Sequence, residues 1–268
     1  MPELPEVETI RRRLAAELPG RTVIDASAHP STKFRAATDA VGARIDAVRR
    51  RGKYLLVDLD DGRDLVVHLG MTGVLGFTST VDAAAADPYV RAWWALDDGR
   101  TLRFRDVRRF GRIAVVDRGA YGDLPTLAAL GPEPFDDALT PAVFHAALRG
   151  SRARLKTAVL GQRIIAGVGN IYADEAFWRA GVNPAARRIG GPAAARLLAA
   201  LRAVLGEGID NGGTTLRDYR DADGGTGTNQ HHLDCYGRGG LPCKRCGTVL
   251  RRRVVDGRTT VSCPTCQR

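Results

Sequence analysis

Four cysteines near the carboxyl end constrain the fold of this 268-residue chain more than any other feature. They form two Cys-x2-Cys knuckles separated by sixteen residues, at Cys243, Cys246, Cys263 and Cys266. Paired knuckles at this spacing are typical of zinc sites, and four thiolates fill the tetrahedral coordination of Zn²⁺. A β-hairpin predicted over residues 249–261, turning at Asp256-Gly257, would bring the knuckles together. The sequence therefore predicts one structural zinc ion with no coordination position left for water.

Three further potential ligands precede the knuckles. Cys235 lies outside the spacing and is expected to be a small buried or half-exposed thiol rather than a fifth ligand. His231 and His232 could ligate a metal in principle, but four cysteines already complete the site. We expect both histidines to be polar loop residues or phosphate contacts.

Positive charge is concentrated in the same region. The chain carries 40 Lys and Arg against 30 Asp and Glu, a formal charge of +10, and residues 235–268 hold eight of these basic side chains and one acid, Asp256. Such a patch favours a polyanionic partner, most often nucleic acid, although ribosomal and membrane-surface proteins share it. Arg251, Arg252, Arg253 and Arg258 could be the solvated face of the hairpin. Alternatively, Arg258 at the hairpin tip could bind a phosphate through two N–H groups.

Composition excludes several classes of protein. Apolar residues make up 44% of the chain and charged residues 26%, which argues against a disordered or fibrous chain. No uncharged apolar run approaches the roughly 18 residues of a membrane-spanning helix. Residues 1–8 lack the pattern of a secretory signal. We therefore expect a cytoplasmic protein with no membrane partner.

The hydrophobic period divides the chain into two halves. An amphipathic helix is predicted over residues 2–18, and from 22 to about 117 the period is two, with strands joined by Asp-Asp-Gly turns. This half is typical of an antiparallel β-sandwich. The second half is helical, with candidate helices over 141–148, 151–160, 170–180 and 192–205. The predicted fold class is α+β.

Domain boundaries follow from composition. Residues 1–120 form the predicted sandwich domain, and 121–138 form a linker rich in Gly, Pro and Asp. Residues 139–230 form the helical domain, and 231–268 form the zinc ribbon. Seven glycines between 206 and 227 predict a mobile loop at the end of the helical domain.

Residues 103–112 interleave five arginines with two phenylalanines. The arginines could bind phosphates while an aromatic side chain enters a base stack, as in proteins that kink DNA or extrude a base. The alternative is an ordinary passage from strand to turn with one face in the core. Composition leaves both interpretations open.

Pro2 carries a possible nucleophile. Removal of Met1 would expose a secondary amine, and α-amino groups with a pKa near 8 are partly neutral at pH 7. Glu3 and Glu6 place acid/base groups within a few residues of it. A proline followed by acids is also an ordinary helix start, so the residues alone do not decide between the two.

The first eight residues, Met1-Pro2-Glu3-Leu4-Pro5-Glu6-Val7-Glu8, resemble the opening of bacterial formamidopyrimidine-DNA glycosylases, the MutM branch of a family that includes endonuclease VIII. The resemblance extends over nearly the whole chain. It includes Arg51-Gly52-Lys53-Tyr54-Leu55, residues 68–73, 106–111, 130–135, 166–175, Gly212-Gly213-Thr214-Thr215, Tyr236-Gly237-Arg238 and the zinc ribbon.

The resemblance implies a chemistry for five positions. Pro2 would attack C1′ of a damaged nucleotide, displace the base and leave an iminium link to the opened sugar. Glu3 would protonate the sugar ring oxygen, and Glu6 would support the site. Lys53 matches the lysine assigned to base release and β-elimination, and Arg258 matches the arginine assigned to δ-elimination.

The resemblance also implies contacts to DNA. The side chains that fill the void left by the extruded nucleotide correspond to Met71, Arg108 and Phe110. Asn170 corresponds to the phosphate-binding residue of a helix-two-turns-helix motif, where backbone N–H groups would assist. His68, Arg109 and Lys156 are further candidate phosphate contacts.

The chain departs from the family pattern at three places. Many members end the lesion-recognition loop with Gly-Tyr-Phe-Gln, whereas this chain has Gly227-Thr228-Asn229-Gln230 and lacks both aromatic side chains. A histidine-containing stretch before the second hairpin is replaced by Asp87-Pro88-Tyr89, and a lysine of the basic helix start is replaced by Ser151. The altered loop bears on the choice of substrate.

The expected function is a monomeric, bifunctional DNA glycosylase and AP lyase that acts on damaged double-stranded DNA. It would excise oxidised purines such as 8-oxoguanine and formamidopyrimidines by β- and δ-elimination. One alternative is the same chemistry on oxidised pyrimidines or abasic sites. Another is a zinc-ribbon protein that binds damaged DNA without chemistry.

Overall fold

The structure is a computed structural model that describes residues 1–217 and 219–268. Chain contacts divide it into two compact units. The first unit comprises Met1–Ala128 and Asn211–Gln230, and the second comprises Ala129–Asp210 and His231–Arg268.

The first unit is a β-sandwich preceded by a helix. Its helices are α1 (Leu4–Glu17), α2 (Val81–Ala86) and α3 (Pro125–Ala128), with a 3-10 helix at Arg35–Ala40. Its strands are β1 (Val23–Ala28), β2 (Ile45–Arg51), β3 (Tyr54–Leu59), β4 (Arg63–His68), β5 (Gly73–Thr78), β6 (Val90–Leu96), β7 (Thr101–Asp106) and β8 (Arg112–Asp117). They form two antiparallel four-stranded sheets, in the orders β1-β6-β7-β5 and β2-β3-β4-β8.

Alternation along the strands supplies the core of the sandwich. Leu55 and Val57 of β3 and Trp94 and Phe104 of the other sheet are fully buried in one cluster. The apolar side of α1 enters the same cluster, with Leu14 among its members. This confirms the predicted N-terminal helix and sandwich.

The second unit contains four helices and a hairpin among its described residues. The helices are α4 (Pro141–Gly150), α5 (Leu155–Leu160), α6 (Asn170–Ala180) and α7 (Gly191–Asp210), and a short 3-10 helix covers Asn229–His232, where the chain passes from one unit to the other. The hairpin pairs β9 (Arg251–Val255) with β10 (Arg258–Ser262) in register. Asp256 and Gly257 both have positive φ angles, of 45° and 79°, as a type I′ turn requires.

Two helix ends differ from the prediction by four or more residues. The helix predicted from residue 151 begins at Leu155, because the extended backbone of Ser151 ends α4 and its hydroxyl accepts a hydrogen bond from the Ala153 N–H at 3.2 Å. The helix predicted to end at 205 continues to Asp210 despite two glycines. Gly208 is buried against Tyr172, and a Cβ atom there would lie 2.5 Å from the ring. Close packing therefore explains this glycine.

Residues 211–230 group with the sandwich, whereas the sequence placed them in the helical domain. The Thr214 N–H donates to Glu6 Oε1 at 2.6 Å, and the Phe77 N–H donates to Ala222 O at 3.2 Å. Arg13 pairs with Asp223 at 2.7 Å. Residues 206–210 of the segment predicted to be a mobile loop are helical, and its Asp218 lies outside the described residues.

The predicted linker, 121–138, contains α3, and the division between the two units falls within it, after Ala128.

Within the described part of the chain, no helix has both the length and the hydropathy needed to span a membrane.

Candidate catalytic and nucleic-acid-binding residues

The amino terminus of the first unit is held by a buried carboxylate. Pro2 is buried just before α1, and Glu3 and Glu6 are 2% and 0% exposed. Glu6 Oε2 accepts the Glu3 N–H at 2.7 Å, and Glu6 Oε1 accepts the Thr214 N–H at 2.6 Å. The peptide that follows Pro2 is therefore fixed by Glu6, and two carboxyl groups adjoin the amino terminus.

Lys53 lies in the turn between β2 and β3 and is 3% exposed. Arg50 connects this turn to α1, because its Nε donates to Glu8 Oε2 at 2.9 Å and its Nη1 donates to Gly52 O at 3.1 Å. Burial raises the pKa of Glu8, but hydrogen bonds from Arg11 and Arg50 outweigh it and hold the pKa below its usual value. A charged Glu8 thus anchors the lysine turn to the N-terminal helix.

His68 lies at the end of β4, opposite Tyr54 in the sheet register, with the two ring centroids 4.6 Å apart. Burial lowers the pKa of His68 to about 4, the charge of Lys53 acts in the same direction, and Asp106 opposes them. His68 Nδ1 accepts the Gly70 N–H at 3.2 Å, which assigns the proton of the neutral ring to Nε2. At neutral pH, His68 can contact a phosphate only as an N–H donor.

This environment predicts a stability change at acidic pH. The pKa of His68 is about 4 in the folded protein, whereas an unfolded histidine titrates near 6.5. The unfolded state therefore binds the extra proton first, and the contribution of His68 is present above about pH 6.5 and lost as the pH falls toward 4. The melting temperature of the wild type should therefore fall more steeply over this pH interval than that of His68→Gln. An equal fall in the two melting temperatures would contradict the lowered pKa of His68.

Two neighbouring turns share a buried carboxylate, Asp106, which is 0% exposed. Asp106 Oδ1 accepts the Thr72 hydroxyl at 2.6 Å, and Oδ2 accepts the Gly111 N–H at 2.7 Å. The Arg108 N–H in turn donates to Thr72 Oγ1 at 3.1 Å. A Cβ on Gly70 would lie 2.4 Å from Gly111 N, so the turns approach too closely for any other residue there. Asp106 therefore joins the β4–β5 turn to the β7–β8 turn.

These turns present the three candidate void-filling side chains. Met71 and Phe110 are 41% and 47% exposed, and the Arg108 guanidinium lies 4.6 Å from the Phe110 ring centroid. Arg109 is exposed and has a φ angle of 55°. Its backbone carbonyl accepts a hydrogen bond from Lys33 Nζ. Exposed apolar side chains beside arginines are suited to contact a base stack flanked by phosphates.

Asn170 begins α6 in the second unit, directly after Gly169. Its Nδ2 donates to Thr259 O at 3.1 Å, and its buried Oδ1 has no hydrogen-bond partner within the described residues. Asn170 is therefore at a helix N-terminus, as predicted, and is joined to the residue that follows Arg258.

Lys156 has a different environment from that expected of a phosphate contact, because it is 1% exposed. Its Nζ donates to Asp174 Oδ1 at 2.6 Å, Thr260 Oγ1 at 3.0 Å and Thr259 O at 3.1 Å. Burial raises the pKa of Asp174 to about 6 against the opposing effect of Lys156. Lys156 connects α5 and α6 to the hairpin.

The four predicted zinc ligands are brought together in the second unit. The sulfur atoms of Cys243, Cys246, Cys263 and Cys266 all lie within 4.8 Å of one another. Tetrahedral zinc with Zn–S bonds of about 2.3 Å needs sulfurs about 3.8 Å apart, and Cys246 Sγ and Cys263 Sγ are separated by 3.5 Å. Trp178 Nε1 donates to Cys243 Sγ at 3.3 Å, which suits a thiolate ligand. The residues fit one zinc ion.

The remaining candidate residues near the ribbon are a cysteine, two histidines and an arginine. Cys235 is fully buried outside the four-cysteine group and donates to Val261 O at 3.2 Å, and burial raises the pKa of its thiol. His231 and His232 are exposed and do not belong to the group. Arg258 is exposed immediately after the hairpin turn. These placements agree with the expected thiol and hairpin tip.

Sequence reasoning missed two of the buried carboxylates that position these segments. Asp106 is the one acid in the arginine-rich segment, residues 103–112. Its position among five arginines could have identified it as a residue with a special role. Glu175 accepts the N–H groups of Asp234, Cys235 and Tyr236 at 2.7–2.9 Å and so binds the start of the ribbon to α6. A helical glutamate carries no local signal of such a role.

Three family profiles match consecutive parts of the chain. They are the formamidopyrimidine-DNA glycosylase N-terminal domain at residues 1–113, the formamidopyrimidine-DNA glycosylase H2TH domain at 130–220, and a zinc finger found in FPG and IleRS at 240–268. A sandwich with an N-terminal helix, a helix-two-turns-helix segment and a four-cysteine ribbon thus define the class of protein.

Relatives match over the full length. Formamidopyrimidine-DNA glycosylase of Thermus thermophilus is 48% identical over 271 residues, covering 100% of this chain and 98% of the relative. That of Herpetosiphon aurantiacus is 44% identical over 279 residues, covering 100% of both. This chain therefore belongs to the formamidopyrimidine-DNA glycosylase family.

Solved structures agree. The crystal structure of MutM (Fpg) from Thermus thermophilus aligns with a TM-score of 0.91 at 48% identity, covering 99% of this chain and 98% of that one. Lactococcus lactis Fpg in complex with DNA containing an N7-benzyl-Fapy-dG aligns with a TM-score of 0.90 at 32% identity over 100% of both chains. A complex of Lactococcus lactis Fpg with abasic-site DNA aligns at 0.89 and 32% identity, over 99% of each chain.

Proposed function

We propose that this protein is a bifunctional DNA glycosylase and AP lyase that acts as a monomer on damaged double-stranded DNA and excises oxidised purines, including 8-oxoguanine and formamidopyrimidines. The observation that carries the proposal is the buried N-terminal cluster, in which Glu6 holds the peptide between Pro2 and Glu3 through a 2.7 Å hydrogen bond. Two comparisons support the proposal. The relatives are named formamidopyrimidine-DNA glycosylase, and Lactococcus lactis Fpg forms complexes with damaged and with abasic DNA.

The first step is displacement of the base by an amine. After removal of Met1, the lone pair of Pro2 attacks C1′, and the glycosidic bond breaks, so that its electron pair and the proton lost from the Pro2 nitrogen pass to the departing base. Glu3 donates a proton to the sugar ring oxygen as the ring opens to the iminium. Glu6 is a positioning group here, because both of its oxygens accept backbone N–H groups.

Strand cleavage follows from the iminium. Loss of a proton from C2′ expels the 3′ phosphate by β-elimination, and a later proton loss from C4′ expels the 5′ phosphate by δ-elimination. Lys53 is assigned to base release and β-elimination, and Arg258 to δ-elimination. Lys53 is anchored to α1 through Arg50 and Glu8, which supports a role close to the amino terminus.

The DNA contacts divide into wedge and phosphate groups. Met71, Arg108 and Phe110 occupy the space vacated by the extruded nucleotide, and so offset part of the cost of unstacking. Arg109, neutral His68 and Asn170 contact phosphates. Lys156 holds the hairpin beside Arg258 rather than reaching a phosphate, because it is buried among three acceptors.

The zinc ion has a structural role in this account. The four cysteines would fill the coordination positions of the ion, so it would supply no activated water and would stabilise the fold of the ribbon. The hairpin that the ribbon supports carries Arg258 at its tip.

The substrate class is tested by comparing excision from matched duplexes. The altered loop residues Thr228 and Asn229 give a specific reason to include oxidised pyrimidines as the second candidate. Single-turnover excision of 8-oxoguanine should exceed that of dihydrouracil by at least tenfold, while the same enzyme preparation cleaves an abasic duplex. Equal rates on the two bases, or faster release of dihydrouracil, would overturn the preference for purines.

A further inference from the structure

Asn229 closes the base of the segment formed by residues 211–230. It is 5% exposed, and its Nδ2 donates to Thr214 Oγ1 at 2.8 Å. Its Oδ1 accepts Asn211 Nδ2 at 3.1 Å, and its backbone N–H donates to Gly213 O at 3.1 Å. One side chain therefore joins the end of this segment to its beginning.

The same bonds continue to the amino terminus. The Thr214 N–H donates to Glu6 Oε1 at 2.6 Å, and Glu6 Oε2 accepts the Glu3 N–H at 2.7 Å. Asn229 is thus three hydrogen bonds from the amide that follows Pro2.

The packing leaves little freedom along this connection. A Cβ added to Gly213 would lie 2.9 Å from Glu6 Cγ, and one added to Gly227 would lie 2.0 Å from Gly213 O. Glu6 is 0% exposed and Thr214 is 3% exposed, so bulk solvent hardly reaches either residue. A shift at residue 213 or 214 is therefore transmitted to Glu6.

We propose that Asn229 is a positioning residue for the Pro2 amine, acting through Thr214 and Glu6, so that the hydrogen bonds of Asn229 affect the reactivity of the amino terminus. The inference rests on the proposed role of Pro2 as nucleophile. Phenylalanine, which many family members carry at the position of Asn229, can form neither of the two side-chain hydrogen bonds. The coupling is therefore a property of the residues of this chain.

The test uses a preformed abasic-site duplex, because no base has to be recognised there. The rate of borohydride-trapped adduct formation is measured under single turnover at saturating enzyme for Asn229→Leu, Thr214→Val, the double variant and Thr214→Ser. Thr214→Val keeps the N–H that binds Glu6 and removes only the hydroxyl. Thr38→Val is the matched control, because it removes an exposed threonine hydroxyl of the same unit.

We expect Asn229→Leu and Thr214→Val each to slow trapping on the order of tenfold or more, since small displacements of a reacting group cost this much. The double variant should be no slower than the slower single variant, because both remove the same connection. Thr214→Ser and Thr38→Val should trap within about twofold of the wild type. Affinity for the duplex should not change, and thermal unfolding should confirm that each variant is folded.

Trapping by Asn229→Leu and Thr214→Val at the wild-type rate would overturn the inference, as would additive losses in the double variant. If Asn229→Leu does not fold, Thr214→Val alone decides, because its change in volume is minimal. A variant that retains Met1 distinguishes failure of the positioning role of Asn229 from failure of the proposed role of Pro2. If that variant traps normally, Pro2 is not the nucleophile; if it is inert while Asn229→Leu traps normally, only the positioning role fails.

Discussion

Replacement of Cys263 by alanine is expected to eliminate zinc binding and to weaken duplex binding by on the order of a hundredfold. Cys263 is fully buried, its sulfur lies 3.5 Å from Cys246 Sγ, and it accepts the Cys266 N–H at 3.4 Å. Structural zinc sites contribute about 10–16 kcal/mol to the folding of small zinc domains. Without the ion, the two cysteine knuckles on either side of the hairpin are no longer joined, and the basic residues of the hairpin lose their arrangement.

Cys235 provides a matched control for this prediction. It is as buried as Cys263 but lies outside the four-sulfur group. Cys235→Ala should therefore retain one zinc per chain and bind DNA as the wild type does. Metal content can be measured by atomic absorption and binding by fluorescence anisotropy at fixed salt. One zinc per chain in Cys263→Ala, or none in Cys235→Ala, would show that the ligand set is wrong.

Replacement of Glu3 by glutamine is expected to slow excision of 8-oxoguanine by about 10²–10⁴-fold, the usual contribution of a positioned general acid. The substitution preserves the size of the side chain and the backbone N–H that binds Glu6. Cleavage of a preformed abasic site should fall less, because no base has to be displaced there. Single-turnover rates on the two duplexes give this difference directly.

Glu17 supplies the control carboxylate at the other end of the same helix. It pairs with Arg13 at 2.7 Å and also with Arg100, well away from the amino terminus in sequence. Glu17→Gln should leave both rates unchanged. An equal loss in the two variants, or no loss in Glu3→Gln, would remove Glu3 from the acid/base role.

Features that depend on local spacing were predicted correctly. The hairpin turn at Asp256-Gly257 follows from residues that tolerate positive φ angles, and the zinc site follows from the distances between cysteines along the chain. The sandwich follows from an alternation of period two, which requires one face of each strand to be buried. Each of these patterns is contained in one continuous stretch of the sequence.

Features that depend on contacts distant in sequence were not predicted. Residues 211–230 pack with the sandwich because of bonds such as Thr214 to Glu6, which join residues about two hundred positions apart. The burial of Lys156 depends on Asp174 and on the hairpin, which no helical pattern near Lys156 indicates. The functional roles of Pro2 and Asn170 came from the family resemblance, since a proline and an asparagine at a helix start are ordinary residues there.

Sodium borohydride trapping tests most directly whether the amine of Pro2 forms a covalent iminium with the damaged nucleotide. The zinc-loaded protein is trapped on a labelled duplex with one 8-oxoguanine and on an abasic-site duplex. We expect a covalent adduct on both duplexes, cleaved product in the unreduced samples, and neither in a variant that retains Met1. An adduct on the abasic duplex alone would keep the lyase and reject 8-oxoguanine as substrate, whereas no adduct on either duplex would contradict the proposed mechanism and favour a non-catalytic DNA-binding protein.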